Sequence, residues 1–352
     1  MKRIHSIQYL RAIAALSVVA LHTGKRAGES LPGPVHDALP LGNAGVDLFF
    51  VISGFIMWSI SRRSESDPVD FLLRRAVRVA PTYWIATLAW VAFVTLVGYS
   101  WITVTLPHLL RSLAFVPHYS PTFPDEVWPV LVPGWTLTFE MFFYAMFAAT
   151  LLIPDRLRLG ALPLAMGCLV LLGFALQPQA AWAKTYTSPL LLEFVGGCLV
   201  AALWSRAPGG MARNVCVLAA GVAILCLFGL DVDVRDHLHR TVIYGSASVL
   251  IVSGFAGLGD ALPKMPLLER LGDASYSIYV FHMLMVLPLA ELWQRNDVLP
   301  KTGLTAVLFV LVTMFVVCSA GLWLFRTVET PLNRTLSGLL RARHEASKVA
   351  SR

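Results

Sequence analysis

The sequence predicts an all-α, polytopic integral membrane protein with about ten transmembrane helices and both termini in the cytoplasm. Composition is the first observation: 57% of the 352 residues are apolar and 14% are charged, and the mean hydropathy is +0.67. A soluble globular protein is about half apolar and about one quarter charged. Length is the second observation, because about 20 residues per span leave room for roughly ten spans, short loops and no separate soluble domain.

Ten apolar runs, each bounded by charged residues or by Gly and Pro, are the candidate spans. They cover residues 7–23, 45–61, 81–98, 133–153, 159–176, 188–204, 214–230, 241–258, 274–292 and 303–325. The stretch 101–117 is also apolar, but Pro107 and Pro117 interrupt it, so we expect an interfacial or re-entrant segment there. We predict a membrane domain over 1–335 and a basic cytoplasmic tail over 336–352, which lies on a surface or is disordered.

The distribution of positive charge is the third observation. With the N-terminus inside, 19 of the 28 Lys and Arg residues fall in loops on one side of the membrane and eight fall on the other. Positive residues are enriched in cytoplasmic loops, so the bias places both termini in the cytoplasm and does not indicate nucleic-acid binding. The first run is kept as a retained span because no signal-peptidase site follows Leu21. All five cysteines lie in apolar runs, so we expect no disulfide.

Arg11 and His22 lie eleven positions apart in the first apolar run. Eleven residues make about three helical turns, so both side chains leave the same face, roughly 16 Å apart along the axis. Charged and titratable groups within a span are costly and mostly line a site or a pathway. The pair is therefore interpreted as an anion-binding group and a general base, although His22 alone could also be an interfacial histidine that faces lipid headgroups.

Two carboxylates are expected at the depth of His22. Glu140 follows the entry of the fourth run and is flanked by apolar residues, whereas Asp47 opens the second run. If these helices are neighbours, His22, Asp47 and Glu140 can meet, and a carboxylate would then orient the imidazole and stabilise its charged form. Ser53 lies mid-way along the second run, where a small residue usually indicates close helix packing, and no nucleophile motif surrounds it.

A cluster of arginines precedes the third run, in the segment "FLLRRAVRVAPTYW". Arg74 and Arg78 are spaced to share a helical face, and Arg75 lies beside them. Arginine clusters bind phosphate groups through forked, charge-assisted hydrogen bonds. The alternative is a simple positive-inside anchor, but Arg11 at a similar depth favours phosphate binding.

The ninth run begins in the segment "LGDASYSIYVFH", with Tyr276, Tyr279 and His282 at intervals of three. These side chains either line a polar tunnel or pack as satisfied polar groups in the core. The loop 231–240, "DVDVRDHLHR", is interpreted as a solvated loop rather than a metal site. No nucleotide-binding or zinc-binding motif is present, and no metal is expected.

These segments together resemble the acyltransferase 3 family of integral-membrane acyltransferases. The matching motifs are "IQYLRAIAALSVVALH", "GNAGVDLFFVISGFIM", "RRAVRVAPTYW", "GWTLTFE", "LGDASYSIYVFH" and "VETPLNR". They occur in the family's order over about residues 1–335, and the start looks most like the branch that acetylates bacterial exopolysaccharides. Arg11 and His22 match the family's essential pair, and Glu140, Arg75, Arg78 and Tyr276 fall at other characteristic positions.

The resemblance implies an acyl-CoA donor, usually acetyl-CoA, that binds from the cytoplasm, and a carbohydrate or glycolipid hydroxyl as acceptor. It also implies a location in the bacterial inner membrane, with polysaccharide assembly proteins as further candidate partners. Many members add a C-terminal esterase-like domain. None follows the tenth run, so we expect the membrane domain and its outer loops, 24–44 and 99–132, to handle the acceptor.

The hypothesis that follows divides the work between two depths. Candidate donor-binding residues are Arg11, Arg74, Arg75, Arg78, Tyr276 and His282. His22, oriented by Glu140 or Asp47, would remove a proton from the acceptor hydroxyl, which then attacks the thioester; direct transfer and an acyl-enzyme intermediate both remain open. The alternative is a transporter or flippase for a lipid-linked sugar. The polar residues concentrate in runs 1–4 and 9, and this asymmetry favours an enzyme.

Overall fold

The computed structural model describes residues 5–61, 67–206, 209–295 and 298–350. Within these ranges the chain is helical and contains no strand, which confirms the all-α prediction. Its α-helices, in chain order, are α1 His5–Ala27, α2 Gly33–Ala38, α3 Ala44–Ser61, α4 Pro68–Val97, α5 Leu106–Leu113, α6 Trp135–Thr150, α7 Asp155–Leu176, α8 Ala181–Tyr186, α9 Leu191–Arg206, α10 Met211–Phe228, α11 His237–Arg240, α12 Ser246–Leu258, α13 Pro266–Asp273, α14 Ser275–Arg295, α15 Gly303–Leu324 and α16 Thr330–Ala350.

Nine helical segments of the described chain are long and apolar enough to cross a membrane, so the protein is a multi-pass membrane protein. All ten predicted runs are helical, but the run predicted over 133–153 forms α6, which has only 16 residues. At 1.5 Å per residue, α6 is about 24 Å long, shorter than the roughly 30 Å hydrocarbon core. The orientation of the termini remains a prediction. Lys2, Arg3, Arg62 and Arg63, which contribute to it, lie outside the described residues.

The third span begins earlier than its apolar run indicated. α4 starts at Pro68 and has 30 residues, with Pro81 inside the helix. The side chain of Asp67 caps its first turn by accepting hydrogen bonds from the backbone N–H groups of Val69 and Asp70, and Pro is favoured at the first helical position. The arginine cluster therefore occupies the first turns of the span itself.

The segment 101–117 contains the short helix α5, which is not among the segments long enough to span. Trp84 of α4 donates a hydrogen bond from Nε1 to the carbonyl of Leu113 and so ties α5 to the span. The tail predicted from residue 336 is helical through residue 350. α16 joins α15 through the π-turn Phe325–Glu329 and crosses the predicted boundary after residue 335.

The core is formed around α1 and α3. α1 packs against α3, α12, α13, α14 and α15, and α3 packs closely on α9. A Cβ added to Gly54 would lie 1.9 Å from the carbonyl oxygen of Phe194, and one added to Gly197 would lie 1.9 Å from that of Val51. Small residues thus allow two backbones to touch. By contrast, only 17% of the apolar windows of α7 and α10 is buried, so these helices surround the central ones.

Candidate active site

α1 places its two polar residues in two different cavities. Arg11, in the first half of the helix, lines a cavity of about 510 Å³. His22, near the end of the helix, lines a second cavity of about 580 Å³. The predicted separation of an anion-binding group from a histidine along one helix therefore corresponds to two separate chambers.

The first chamber, the arginine cavity, is defined by Arg11, Arg75 and Arg78. The guanidinium group of Arg11 donates to Gln8 Oε1 at 3.2 Å, and Arg78 lies 3.5 Å from the carboxylate of the fully buried Glu329. The Nε of Arg75 is buried and has no hydrogen-bond partner within the described structure. Because an unsatisfied buried donor is costly, this cavity is suited to an anionic ligand.

Arg74 does not belong to this cavity, contrary to the expectation that it shares a face with Arg78. Its side chain is 56% exposed and lies 3.4 Å from Asp70, one turn earlier on α4. A spacing of four residues places two side chains only about 40° apart on a helix, and the boundary of the cavity falls between them. Arg75 and Arg78, three residues apart, both face inward.

Glu140 also lines the arginine cavity and not the chamber of His22. Its Oε1 accepts hydrogen bonds from Ser53 Oγ at 3.0 Å and from the Tyr144 hydroxyl. A carboxylate in a membrane interior needs partners, and these two hydroxyl groups supply them. Ser53 was predicted to allow close helix packing through its small size, and its hydroxyl also donates a hydrogen bond to Glu140.

Asp47 is fully buried and binds Arg240, with Oδ1 and Oδ2 accepting from Nε at 2.9 Å and from Nη2 at 2.8 Å. The guanidinium of Arg240 also lies 5.4 Å from the centre of the Trp135 ring. The structure therefore does not bring His22, Asp47 and Glu140 together. Glu140 bonds to Ser53, which lies six residues, or about 9 Å of helical rise, beyond Asp47 on α3. Asp47 points toward Arg240, whereas Glu140 points into the arginine cavity.

Glu193 adds a second carboxylate to the pair of Asp47 and Arg240. It is fully buried and interacts electrostatically with both residues. Two acids thus accompany one arginine in the buried core. Neither Glu193 nor Arg240 was predicted from the sequence. Arg240 is the last residue of the loop 231–240, which was interpreted as solvated, and Glu193 is a single acid in the apolar run 188–204.

The second chamber, the histidine cavity, is defined by His22, His108, His237 and His282. The rings of His22 and His282 are 5.1 Å apart between centroids. His282 is fully buried, its Nδ1 contacts the carbonyl oxygen of Tyr279, and its Nε2 is buried without a partner. A carbonyl only accepts, so Nδ1 carries the proton and Nε2 presents a free lone pair. His282, expected among the donor-binding residues, thus accompanies His22 instead.

Tyr276 and Tyr279 occupy different positions relative to the two chambers. Tyr276 lines the arginine cavity and donates to the carbonyl of Val79 at 2.6 Å. Tyr279 and Val46 line both cavities, and the hydroxyl of Tyr279 lies 3.1 Å from Thr136 Oγ1. Among the described residues, Val46 and Tyr279 are therefore the wall that the chambers share. Tyr279 therefore fits both interpretations of the sequence: it lines a polar passage, because it borders both cavities, and its hydroxyl also has a polar partner in the core.

A family model described as an acyltransferase domain matches residues 4–323, so the chain belongs to the acyltransferase 3 family and is a membrane O-acyltransferase. A similar protein is the exopolysaccharide production protein ExoZ of Rhizobium meliloti, which is 39% identical over 89% of this chain and 95% of its own length. No solved structure gives a significant match.

Two more distant relatives are peptidoglycan O-acetyltransferases by name. The putative enzyme YrhL of Bacillus subtilis is 26% identical over 78% of this chain, and OatA of Listeria monocytogenes is 24% identical over 95%. The matches cover 47% of YrhL and 56% of OatA, so the chain spans about half the length of these two relatives.

Proposed function

We propose that the protein transfers an acetyl group, or another short acyl group, from acyl-CoA to a hydroxyl of an exopolysaccharide or its glycolipid precursor at the bacterial inner membrane. One observation carries this proposal: an arginine-lined chamber and a histidine-lined chamber meet at Val46 and Tyr279. The similarity to ExoZ over nearly its full length supports the choice of acceptor class. Family membership favours transfer over the transport of a lipid-linked sugar.

In this proposal the arginine cavity holds the phosphates of the donor. Arg11, Arg75 and Arg78 offer three guanidinium groups around one space, and guanidinium groups bind phosphate oxygens in a forked geometry. The arm between the phosphates and the thioester then extends toward the histidine cavity. The rise of α1 from Arg11 to His22 is about 16 Å, a distance that an extended pantetheine arm can span. With the predicted orientation, the donor enters from the cytoplasm.

The acceptor hydroxyl enters the histidine cavity and meets the thioester near Tyr279. A ring nitrogen of His22 removes the hydroxyl proton as the oxygen attacks the thioester carbonyl, the C–S bond breaks, and the proton is returned to the departing thiolate. The lone pair of His282 lies beside His22 and is placed to orient its ring, a role first given to a carboxylate. The hydroxyl of Tyr279, in the wall that both cavities share, would donate a hydrogen bond to the developing oxyanion. Direct transfer needs no nucleophile on the protein.

The test is acetyl-CoA binding to the detergent-purified protein, in competition with free CoA. The wild type and an Arg111→Ala control, altered at an exposed arginine outside both cavities, should bind saturably. Arg11→Ala should bind at least about tenfold more weakly, the loss expected for one charge-assisted contact. Absence of binding to the folded wild type would contradict the proposed donor.

A further inference from the structure

The outer side of the protein has few positive residues, and most of them line the histidine cavity. Of the eight Lys and Arg residues that the predicted orientation places outside, five line this chamber: Lys25, Arg26, Lys184, Arg235 and Arg240. Positive residues are depleted from this side of membrane proteins. Their concentration around one cavity therefore indicates a ligand rather than membrane anchoring.

Two of these five cations are already paired with carboxylates. Arg240 binds Asp47, and Arg235 lies 3.0 Å from Glu126. Lys25, Arg26 and Lys184 have no carboxylate within ion-pair distance among the described residues. Since Glu126 is taken by Arg235, Asp125 is the remaining acid among the cavity-lining residues. Three free cations against one acid leave the cavity positively charged.

Lys25 and Arg26 have a fixed relation to His22. They follow it by three and four residues on the continuous helix α1, so all three side chains share a face. The rise between His22 and these cations is about 4.5–6 Å along the axis. This is about the width of one sugar ring. A ligand whose hydroxyl reaches His22 would thus carry its negative charge on the same or the adjoining ring.

The same cavity offers flat aromatic surfaces. Trp90, Trp101, Trp128 and Phe123 line it, and the rings of Phe123 and Trp128 meet edge to face at 5.1 Å between centroids. Aromatic faces bury apolar surface and favour polarised C–H edges, which the faces of a pyranose ring supply. The chamber is therefore suited to a saccharide as well as to an anion.

We infer that the histidine cavity binds an acidic saccharide, with Lys25 and Arg26 contacting a carboxylate or phosphate within one ring of the hydroxyl that is acylated. This inference rests on the proposed function, because it names the chemical class of the acceptor. It also distinguishes this cavity from a general sugar groove, in which uncharged hydroxyls alone would be recognised.

Ligand-observed saturation-transfer NMR with the full-length, detergent-purified protein tests the inference. The probes are methyl β-D-glucuronide and α-D-glucose 1-phosphate, compared with the neutral methyl β-D-glucoside. We expect each anionic probe that reproduces the acceptor's charge to bind at least about tenfold more tightly than the glucoside, as one charge-assisted contact provides. A preference for the glucuronide alone assigns the charge to a sugar carboxylate, and a preference for the phosphate alone assigns it to a phosphate-linked sugar.

Variants locate the site on α1. The double variant Lys25→Gln, Arg26→Gln should lose the preference for anionic probes, whereas the paired control Lys301→Gln, Arg111→Gln should keep it, because neither control residue lines the cavity. Acetyl-CoA binding measured on the same samples shows whether the double variant is folded. If the wild type binds the anionic probes but not acetyl-CoA, the proposed donor fails and the acidic-saccharide site stands.

Three results would overturn the inference. The first is equal binding of the neutral and anionic probes by the wild type, and the second is no binding of any probe while acetyl-CoA binds. The third is loss of probe binding when phosphatidylglycerol replaces phosphatidylcholine in nanodiscs, because the free cations would then serve lipid headgroups.

Discussion

The arginine cavity and the histidine cavity differ in how the chain builds them. The charged groups of the arginine cavity come from α1, α4 and α6, in segments where helical spacing already places them on one face. The histidine cavity also takes residues from the segments between spans, including His108 on the short helix α5 and Arg235 before α11. The lining residues of a cavity formed by spans can be predicted from helical spacing in the sequence. Those of a cavity completed by the connecting segments depend on the folded structure. In the proposed function, the first cavity binds the donor and the second holds the acceptor.

Replacement of His22 should have the largest effect, because it removes the proposed general base and leaves the arginine cavity intact. We expect His22→Ala to lower the rate of acyl transfer by about 10²–10⁴-fold and to leave acetyl-CoA affinity nearly unchanged. The rate is measured as the release of free CoA in the presence of a saccharide that the wild type acylates. His36→Ala, at a histidine of α2 that lines neither cavity, is the control. An equal loss of donor binding in His22→Ala would remove the distinction between the chambers.

Asp47 tests whether its ion pair with Arg240, which lines the histidine cavity, stabilises the fold. Asp47→Asn leaves Arg240 buried with only Glu193 nearby, and breaking a buried pair costs about 3–5 kcal/mol. We expect the apparent melting temperature in detergent to fall by several degrees. Asp37→Asn, at a carboxylate that is 74% exposed, should leave it nearly unchanged. If both variants melt alike, the pair of Asp47 and Arg240 does not brace the fold.

Arg74 and Arg75 are adjacent in sequence and differ in where they point, so they form a matched pair. Arg75→Ala should raise the KM for acetyl-CoA by about 10–100-fold, as loss of one or two charged contacts predicts, with a smaller change in kcat. Arg74→Ala should change neither constant by more than about twofold, because exposed ion pairs contribute little. Equal effects would mean that the cluster acts only through its summed charge.

His282 distinguishes a donor-binding role from a positioning role. If it orients His22, His282→Gln should lower kcat by about tenfold, at the low end of general-base effects, shift the pH–rate profile and leave the KM for acetyl-CoA unchanged. If it binds the donor, as the sequence suggested, the KM should rise and the pH profile should keep its shape. Steady-state kinetics between pH 5 and 9 decide between the two.

The smallest expected effect concerns pH and the outer loop. Burial lowers the pKa of both His108 and His118, whose rings are 4.9 Å apart. A histidine with a depressed folded-state pKa stabilises the fold above its unfolded pKa of about 6.5, and the stability is lost as the pH falls below that value. Protection from hydrogen exchange in residues 99–132, relative to the intrinsic exchange rate at each pH, should therefore fall toward pH 5.5, and less so in His108→Asn. Unchanged protection factors in the wild type would contradict the prediction.

Much of the fold followed from the sequence because membrane spans are specified by local composition. The apolar runs identified every helix long and apolar enough to span, although α4 begins earlier than predicted because its arginines interrupt the apolar pattern. The 21-residue helix α16 was not identified, because it lies beyond the last apolar run. The segment around α5 was also recognised, because prolines and charges interrupt its apolar pattern. Residue spacing placed Arg11 and His22 on one face at two depths, and α1 is one continuous helix that carries them into two chambers.

What only the tertiary structure decided is which polar groups meet. Asp47 pairs with Arg240, 193 residues away in sequence, Glu140 bonds to Ser53 and Tyr144, and His22 lies beside His282. Each of these contacts depends on which helices are neighbours and how each is rotated about its axis. The sequence by itself determined the apolar runs and the spacing of the polar groups within each run, because the bilayer imposes length and composition on each local segment. The lateral packing of the helices is set by contacts between segments that are distant in sequence. The partners of the buried polar residues therefore follow only from the tertiary structure.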